Sequence, residues 1–190
     1  LILALVQGIS EFLPISSSGH LVLTHALLGN AQNNMCWQTN RVLDVAVHVG
    51  TLLSVLVYFR KDIFKILKNI TKPGSDSFGL GANIMFASLP VVIIGFIFQK
   101  IQPDFVCLLE IMAWMTIIFG LVLYFADKFK DTKSLMAMSK KESLIIGLSQ
   151  ALALIPGVSR SGITMTSARF LGFSRVDAAK FSLLLSIIAI

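Results

Sequence analysis

The segment Val6–His20 reads VQGISEFLPISSSGH and has apolar residues on both sides. It places a carboxylate, three serines, a glycine and a histidine inside sequence that otherwise favours hydrocarbon. Ionisable groups at membrane depth are costly, so Glu11 is a functional-site candidate. Pro14 and Gly19 break the helix around the serines, and a broken helix in a membrane must bury its backbone in protein or line a wet cavity. We therefore predict a helix, a polar turn and a second helix that returns in the opposite direction.

The composition predicts a membrane protein. The 190 residues are 55% hydrophobic and 14% charged, whereas soluble domains are about 45–50% apolar and about 25% charged. The net charge of +6 does not indicate a nucleic-acid partner, because the lysines lie in two loops at the ends of spans rather than on one face. Cys36 and Cys107 are expected to be unpaired thiols. The chain starts without Met and ends in an apolar run, so we expect a fragment of a longer protein.

Apolar runs divide the chain into full spans and shorter segments. A transmembrane helix needs about 20 apolar residues, and the runs around the first serine turn are shorter, so residues 1–29 are predicted to form a re-entrant hairpin. Residues 143–171 repeat the pattern around a second polar break, PGVSRSG. We expect Pro90 to interrupt the second of the full spans, most simply as a kink without a chemical role. These spans are predicted at 42–59, 80–99 and 105–126, with a further span from 176 that is truncated at the end of the sequence.

Basic residues orient these segments. The connectors at 60–72 and 127–142 are rich in lysine, whereas the loop at 100–104 has one. Positively charged loops stay in the cytoplasm, so both connectors are predicted to face it. The first hairpin then enters the membrane from outside and the second from the cytoplasm. Lysines of the first connector recur at helical spacing, which is compatible with anionic-lipid binding, although a solvated loop is the simpler interpretation. These lysines are Lys61, Lys65, Lys68 and Lys72.

The two hairpins resemble each other in sequence. Residues 8–11, GISE, match 147–150, GLSQ, and residues 16–19, SSSG, match 159–162, SRSG. Because the two copies are predicted in opposite orientations, we predict an all-α polytopic membrane protein with inverted-topology repeats and two re-entrant helical hairpins. In transporters with such repeats, broken helices meet near the bilayer midplane and the site lies between them. The predicted units are a first repeat at 1–126, a connector at 127–142 and a second repeat at 143–190.

Polar residues of the two breaks form a set that suits a phosphate group. Glu11 offers a hard oxygen ligand for Mg²⁺ or Ca²⁺ shared with phosphate, and Gln7 lies on the same helix face. Arg160 offers a planar guanidinium that can bind one phosphate group through two parallel hydrogen bonds. Both returning helices point their N-termini into the membrane, and those ends favour anions. Because the surroundings are lipid, the implied substrate is a phosphorylated lipid. The other polar groups are those of Ser16, Ser17, Ser18 and His20.

Several of these residues also have a purely structural interpretation. Serines in membrane helices often serve packing or hydrogen bonds between helices. Glu11 itself could be capped by its neighbours as part of the fold. Asp44 and His48 are four residues apart, so they form either a polar pair lining the pocket or a mutually satisfied structural pair.

The segments QGISEFLPISSSGH and PGVSRSGIT resemble the two signature motifs of the bacitracin-resistance type undecaprenyl-pyrophosphate phosphatases. Gln7 and Glu11 match the first part of that pattern, Ser16–His20 its SS(S/T)GH and Pro156–Thr164 its PGxSRSGxT. The resemblance covers nearly the whole chain, including DVAVHVGTLLSV and FSLLLS. Two positions depart from it, namely Ile188 in place of an expected proline and His48 in place of the more usual glutamine.

The resemblance implies an enzyme of the bacterial inner membrane with its site facing the periplasm. Such an enzyme hydrolyses undecaprenyl pyrophosphate to the monophosphate, recycles the carrier lipid for peptidoglycan synthesis and confers bacitracin resistance. It also implies a divalent cation, Mg²⁺ or Ca²⁺. Glu11, with Gln7, is predicted to hold this cation or to aid proton transfer. Ser17 is predicted to be the nucleophile and His20 its base, with direct attack by a His20-activated water left open. The predicted phosphate-binding residues are Ser16, Ser18, Ser159, Arg160, Ser161 and Thr164.

A transporter or flippase of a phosphorylated lipid is the alternative function. The inverted repeat favours it, whereas a serine beside a histidine disfavours it, because transport needs no nucleophile. In either case the predicted partners are a polyprenyl diphosphate lipid and membrane lipids, without nucleic acid. The sequence leaves a homo-oligomer open.

Overall fold

The computed structural model describes residues 1–28, 41–69, 71, 74–101 and 109–189. Within these ranges the regular structure is helical, apart from an isolated bridge between Lys133 and Phe173. Cys36, Cys107 and Lys72 lie outside the described residues. The longer helices are α1 (Ile2–Ser10), α2 (Ser17–Leu27), α3 (Arg41–Tyr58), α4 (Arg60–Lys68), α5 (Asp76–Ile101), α6 (Leu109–Asp127), α7 (Lys140–Gln150), α8 (Arg160–Phe170) and α9 (Arg175–Ala189).

Two of these helices are long and apolar enough to cross a membrane, namely Phe78–Ile101 within α5 and the whole of α6. Helices α3 and α4 form a third candidate only as a pair, bent by 70° between them. The all-helical membrane protein that the sequence predicts is therefore confirmed at this level. The re-entrant course of the hairpins and the inversion of the repeats stay predictions.

Pro90 does not end the second span, and a kink at this residue stays a prediction. This proline lies in the interior of α5, which runs without a break from Asp76 to Ile101. A proline removes one hydrogen bond of the helix, but in membrane-spanning helices neighbouring helices and local adjustments compensate for that loss. The span therefore continues as one helix through Pro90.

Each predicted hairpin consists of two helices around a break. The first break follows α1, and at its end Ser16 has a φ of 63°. The second follows α7 and includes Gly157, whose φ is 95°. A Cβ at Gly157 would lie 2.3 Å from the carbonyl oxygen of Met112 in α6. Only glycine fits a position that combines this backbone conformation with so close an approach.

The second hairpin is fixed at its start by a capping box. The Ser139 hydroxyl accepts a hydrogen bond from the Glu142 N–H at 3.3 Å, and the Glu142 carboxylate accepts one from the Ser139 N–H at 2.8 Å. Burial alone would raise the pKa of Glu142, but hydrogen bonds from Lys133 and Ser139 outweigh it and hold that pKa below its usual value. The carboxylate is thus charged at neutral pH and satisfies free N–H groups at the start of α7.

Arg169 caps the C-terminal end of α6 with hydrogen bonds from its side chain. Its side chain is buried and donates to the carbonyl oxygen of Asp127 at 3.0 Å and to that of Phe173 at 2.6 Å. It also donates to the carbonyl of Phe129 and pairs with Asp131. The last carbonyls of a helix lack partners within it, and this arginine joins α8 to α6 by satisfying one of them, that of Asp127.

Helix α7 packs against α5 with its backbone in close approach at Gly147. A Cβ built at Gly147 would lie 2.3 Å from the carbonyl oxygen of Ala87. Small residues allow such approaches between membrane helices. The contact positions the second hairpin against the longest apolar helix that the structure describes.

Replacing Gly147 with alanine is expected to destabilise the protein by about 1–3 kcal/mol, because the added methyl meets backbone that cannot move cheaply. The thermal unfolding midpoint in detergent should fall by about 2–4 °C per kcal/mol. Gly120→Ala is the matched control, since nothing lies within 4 Å of a Cβ there, and alanine favours a helix over glycine. Equal midpoints for the two variants would contradict the close packing of α5 and α7.

Candidate active site

The two breaks lie against each other. The Ser161 hydroxyl donates to the carbonyl oxygen of Leu13 at 2.9 Å. A Cβ at Gly162 would lie 3.5 Å from the Cβ of Pro14. The predicted proximity of the two serine-rich turns is therefore present in the structure. It brings the polar residues of both hairpins to one place.

Glu11 is the centre of this cluster. It follows α1 directly and is buried. Its Oε2 accepts hydrogen bonds from Gln7 Nε2 at 2.9 Å and from the Ser17 hydroxyl at 2.6 Å, while its Oε1 pairs with Arg160. His48 Nε2 lies 3.9 Å from Oε2. One carboxylate thus joins side chains from α1, α2, α3 and α8.

Arg160 begins α8 and is mostly buried, with 19% of its side chain exposed. Its Nη2 pairs with Glu11, whereas its Nη1 is buried without a hydrogen-bond partner. A buried donor without a partner costs about 1–3 kcal/mol. An anionic oxygen near Nη1 would remove that cost, so the arginine is prepared to bind an anion.

A cavity of about 190 Å³ opens beside Glu11 and Arg160. It lies between the two breaks, and His48 of α3 also lines it. Its polar lining contrasts with the exposed apolar surface of the neighbouring helices. The residues around it are Glu11, Ser16, Ser17, Ser18, His48, Ala153, Val158, Ser159, Arg160 and Ala189.

The serines at the cavity differ in their contacts. Ser17 starts α2 and donates to Glu11. The hydroxyls of Ser16 and Ser18 lie 3.2 Å apart, and Ser16 has a backbone conformation that residues other than glycine rarely adopt. Ser159 caps α8 by accepting the N–H of Gly162 at 3.1 Å. Ser17 is the one with a carboxylate in position to take its proton.

The predicted contact between His20 and Ser17 is not formed. His20 is exposed, and its Nδ1–H donates to the carbonyl oxygen of Ser16 at 2.8 Å. The Ser17 hydroxyl instead reaches the buried carboxylate of Glu11. Catalytic hydrogen bonds can form only once substrate is bound, so the role of His20 stays a prediction.

Two of the predicted phosphate-binding residues have structural contacts away from the cavity. Thr164 is buried and pairs with the Ser182 hydroxyl at 2.7 Å, which joins α8 to α9. Ser161 uses its hydroxyl to hold Leu13 of the first break. Thr164 lies on the same face of α8 as Arg160 but one turn further along the helix, where its hydroxyl contacts α9, and the sequence motif alone does not reveal that contact.

Of the predicted Asp44–His48 pair, the structure brings only His48 to the site. Asp44 Oδ1 pairs with His25 Nε2 at 3.1 Å, whereas His48 Nδ1 donates to the carbonyl oxygen of Asp44 at 2.7 Å. His48 Nε2 is thereby left on the side of Glu11. The four-residue spacing pointed to both side chains as candidates for lining the pocket. His48 lines the cavity, whereas Asp44 pairs with His25 instead.

A divalent cation fits the site only together with substrate oxygens. Among the described residues, no group of three or more His, Cys, Asp or Glu side chains could hold a metal ion. Glu11 supplies one carboxylate, and Gln7 Oε1 is buried without a hydrogen-bond partner. Mg²⁺ is often held by one or two carboxylates plus phosphate oxygens, and this oxygen set is compatible with that arrangement.

The geometry supports phosphoryl transfer. A hydroxyl bound to a buried carboxylate is the usual pairing of a nucleophile and its base. A guanidinium with a free donor lies on the other side of the same carboxylate, where it could neutralise charge on a phosphate. Hydroxyls of Ser16, Ser18 and Ser159 complete the rim of the cavity.

Replacing Arg160 with lysine is expected to lower kcat/KM for phosphate release about tenfold or more. Lysine keeps the charge but loses the planar fork that can bind Glu11 and a phosphate together. Steady-state kinetics of purified protein measure the change. Arg60→Lys is the control, because Arg60 is exposed and contacts only the carbonyl of Val57 among the described residues. Unchanged kinetics in folded Arg160→Lys protein would remove this residue from the site.

Comparison with known proteins gives consistent matches over the chain. A family model described as bacitracin resistance protein BacA matches residues 1–190. The chain is 50% identical to a protein of Campylobacter concisus named undecaprenyl-diphosphatase, over 98% of this chain and 70% of that protein. It is 48% identical to one of the same name from Teredinibacter turnerae, with the same coverage. A third, from Saccharophagus degradans, is 47% identical over 97% of this chain and 69% of that protein.

Proposed function

Because the chain belongs to the BacA family of bacitracin resistance proteins, we propose that it is an undecaprenyl-diphosphatase, as its relatives are named. It hydrolyses undecaprenyl diphosphate to undecaprenyl phosphate and inorganic phosphate, which recycles the carrier lipid for peptidoglycan synthesis. The observation that carries this function is the hydrogen bond from Ser17 to Glu11 beside Arg160 at a cavity between two helix breaks.

In the proposed reaction, the Ser17 oxygen attacks the terminal phosphorus of the diphosphate. Glu11 accepts the hydroxyl proton, and the bond from that phosphorus to the bridging oxygen breaks. Undecaprenyl phosphate leaves with the bridging oxygen. Water then attacks the phosphoserine, and the Ser17 oxygen leaves with the proton that Glu11 had accepted. Inorganic phosphate departs with one proton of the water, and the other is released to solvent. The hydrogen bond of 2.6 Å between Ser17 and Glu11 supports Glu11 as the base in place of His20.

Arg160 is proposed to stabilise the charge on the transferred phosphoryl group through its unpaired Nη1. Backbone N–H groups at the starts of α2 and α8 add further donors, because helix N-termini favour anions. Phosphoryl transfer depends mainly on positioning and charge stabilisation, and these groups surround the same cavity. Ser16, Ser18 and Ser159 are proposed to orient the phosphates.

We also propose a divalent cation, Mg²⁺ or Ca²⁺, held by Gln7 and Glu11. Bound there with the substrate, it would neutralise part of the diphosphate charge. The buried and unpaired Gln7 Oε1 supports this assignment. Glu11 would then serve both the cation and the proton transfer, because Oε2 accepts from Ser17 while Oε1, which pairs with Arg160, keeps a lone pair for the cation.

The membrane arrangement belongs to the same proposal. Residues 1–29 and 143–171 are proposed to be re-entrant hairpins of inverted repeats in the bacterial inner membrane, with the site facing the periplasm. Two short helices around each break and the lysine-rich connectors support it. The polyprenyl diphosphate would reach the cavity from the lipid phase.

Phosphate release by purified protein in detergent tests the function. We expect inorganic phosphate and prenyl monophosphate in equal amounts from a long-chain prenyl diphosphate, because a micelle has no two compartments between which a transporter could act. Adding a chelator should stop release, and restoring Mg²⁺ or Ca²⁺ should recover it. Folded protein that releases no phosphate with both ions supplied would overturn the function, whereas release that resists the chelator would overturn only the cation.

A further inference from the structure

Helix α4 leaves the direction of the preceding helix abruptly. It begins at Arg60, directly after α3, and the two are bent by 70°. With the predicted span at 42–59 across the bilayer, a helix bent by 70° from it runs close to the membrane plane. The junction lies at an end of α3, so α4 is placed near the level of the lipid head groups.

Three contacts hold α4 on its protein side. Phe59, which precedes it, is buried in the core. Ile66 packs on α5 so closely that a Cβ at Gly81 would lie 2.7 Å from its Cγ2. Asp62 pairs with Lys180 of α9 at 2.9 Å. The fold therefore fixes the position of α4 and determines which of its residues face outward.

The outward side combines an apolar edge with a basic edge. Phe64 and Leu67 are 66% and 60% exposed. The basic edge consists of three exposed lysines with spacings of four and three residues, which places them along one side of the helix. In the part of the chain that the structure describes, no side chain of these lysines has a hydrogen bond or ion pair. They are Lys61, Lys65 and Lys68.

We propose that α4 is an interfacial helix that binds anionic phospholipids of the bilayer through the Lys61–Lys65–Lys68 edge, while Phe64 and Leu67 insert among the acyl chains. Amphipathic helices with basic polar faces lie in the membrane interface in this way. Anionic head groups attract such lysines. The cavity of the active site is lined by no residue of α4, so this surface is separate from the proposed catalytic site.

Quenching of a tryptophan at position 64 by brominated lipids tests the proposal. Phe64→Trp is made in protein whose native tryptophans carry Trp37→Phe and Trp114→Phe, and the protein is reconstituted in equimolar phosphatidylcholine and phosphatidylglycerol vesicles. Bromine is placed on one lipid or the other. We expect the tryptophan to prefer phosphatidylglycerol at least about fivefold, the effect of a single lysine near an anionic surface.

Charge variants separate this edge from the overall charge of the protein. K61Q/K65Q/K68Q should remove the preference, and K61R/K65R/K68R should retain it. K128Q/K130Q/K141Q removes the same charge from exposed positions of the second connector and should also retain it. Phosphate release in detergent verifies that each variant is folded. Equal quenching by both lipids before the lysines are changed, or a preference that survives in K61Q/K65Q/K68Q, would overturn the proposal.

Discussion

Replacing Glu11 with glutamine is expected to lower kcat for phosphate release by about 10²–10⁴-fold, the usual contribution of a general base. Glutamine keeps the shape of the side chain but cannot accept the Ser17 proton. It also removes the negative charge that holds Arg160 in place. The measurement is steady-state phosphate release in detergent with saturating substrate and added cation.

Two further variants make the Glu11 result interpretable. Glu110→Gln removes a carboxylate from an exposed position of α6 and should leave kcat unchanged. Glu11→Asp keeps the charge but withdraws the carboxylate from Ser17, so its activity should lie between those of the original protein and Glu11→Gln. Thermal unfolding identifies lost folding, because breaking a buried ion pair is destabilising in its own right. Folded Glu11→Gln protein with kcat within about threefold of the original, a small part of a general base's contribution, would exclude Glu11 as the base.

Much of the fold follows from patterns that the sequence displays openly. Runs of apolar residues mark α5 and α6, and the polar breaks mark the ends of the shorter helices. The resemblance between residues 16–19 and 159–162 predicted that the two breaks would meet, and the contact between Ser161 and Leu13 agrees with this. Such features depend on local composition and on repetition, both of which can be read along the chain.

The pairing of side chains within the site was less predictable. Ser17 has both His20 and Glu11 within a few residues, and the choice between them depends on where α2 begins and how it is rotated. The Ser16 carbonyl oxygen accepts both the His20 backbone N–H at 3.3 Å and the His20 ring at 2.8 Å, which holds the imidazole on the first turn of α2. His48 reaches Glu11 from a separate helix. Tertiary packing decides such contacts, and motif spacing does not encode it.

Replacing Ser17 with alanine is expected to reduce phosphate release by about 10³-fold or more, because removal of a nucleophile leaves only binding and charge stabilisation. Ser16→Ala and Ser18→Ala are the natural controls, since both hydroxyls line the cavity but contact each other rather than the carboxylate. They should reduce kcat/KM less. Rapid quenching of the reaction with labelled substrate should trap phosphate on the original protein and none on Ser17→Ala.

The double variant Ser17→Ala/Glu11→Gln decides whether the two residues act together. Residues that act as one unit are strongly non-additive, so the double variant should be little worse than Ser17→Ala alone. If Ser17→Ala retained substantial turnover while Glu11→Gln did not, water activated by Glu11 would replace serine as the attacking group. His20→Ala belongs in the same series. A loss as large as that of Ser17→Ala would mean that His20 leaves the Ser16 carbonyl and enters the reaction once substrate is bound.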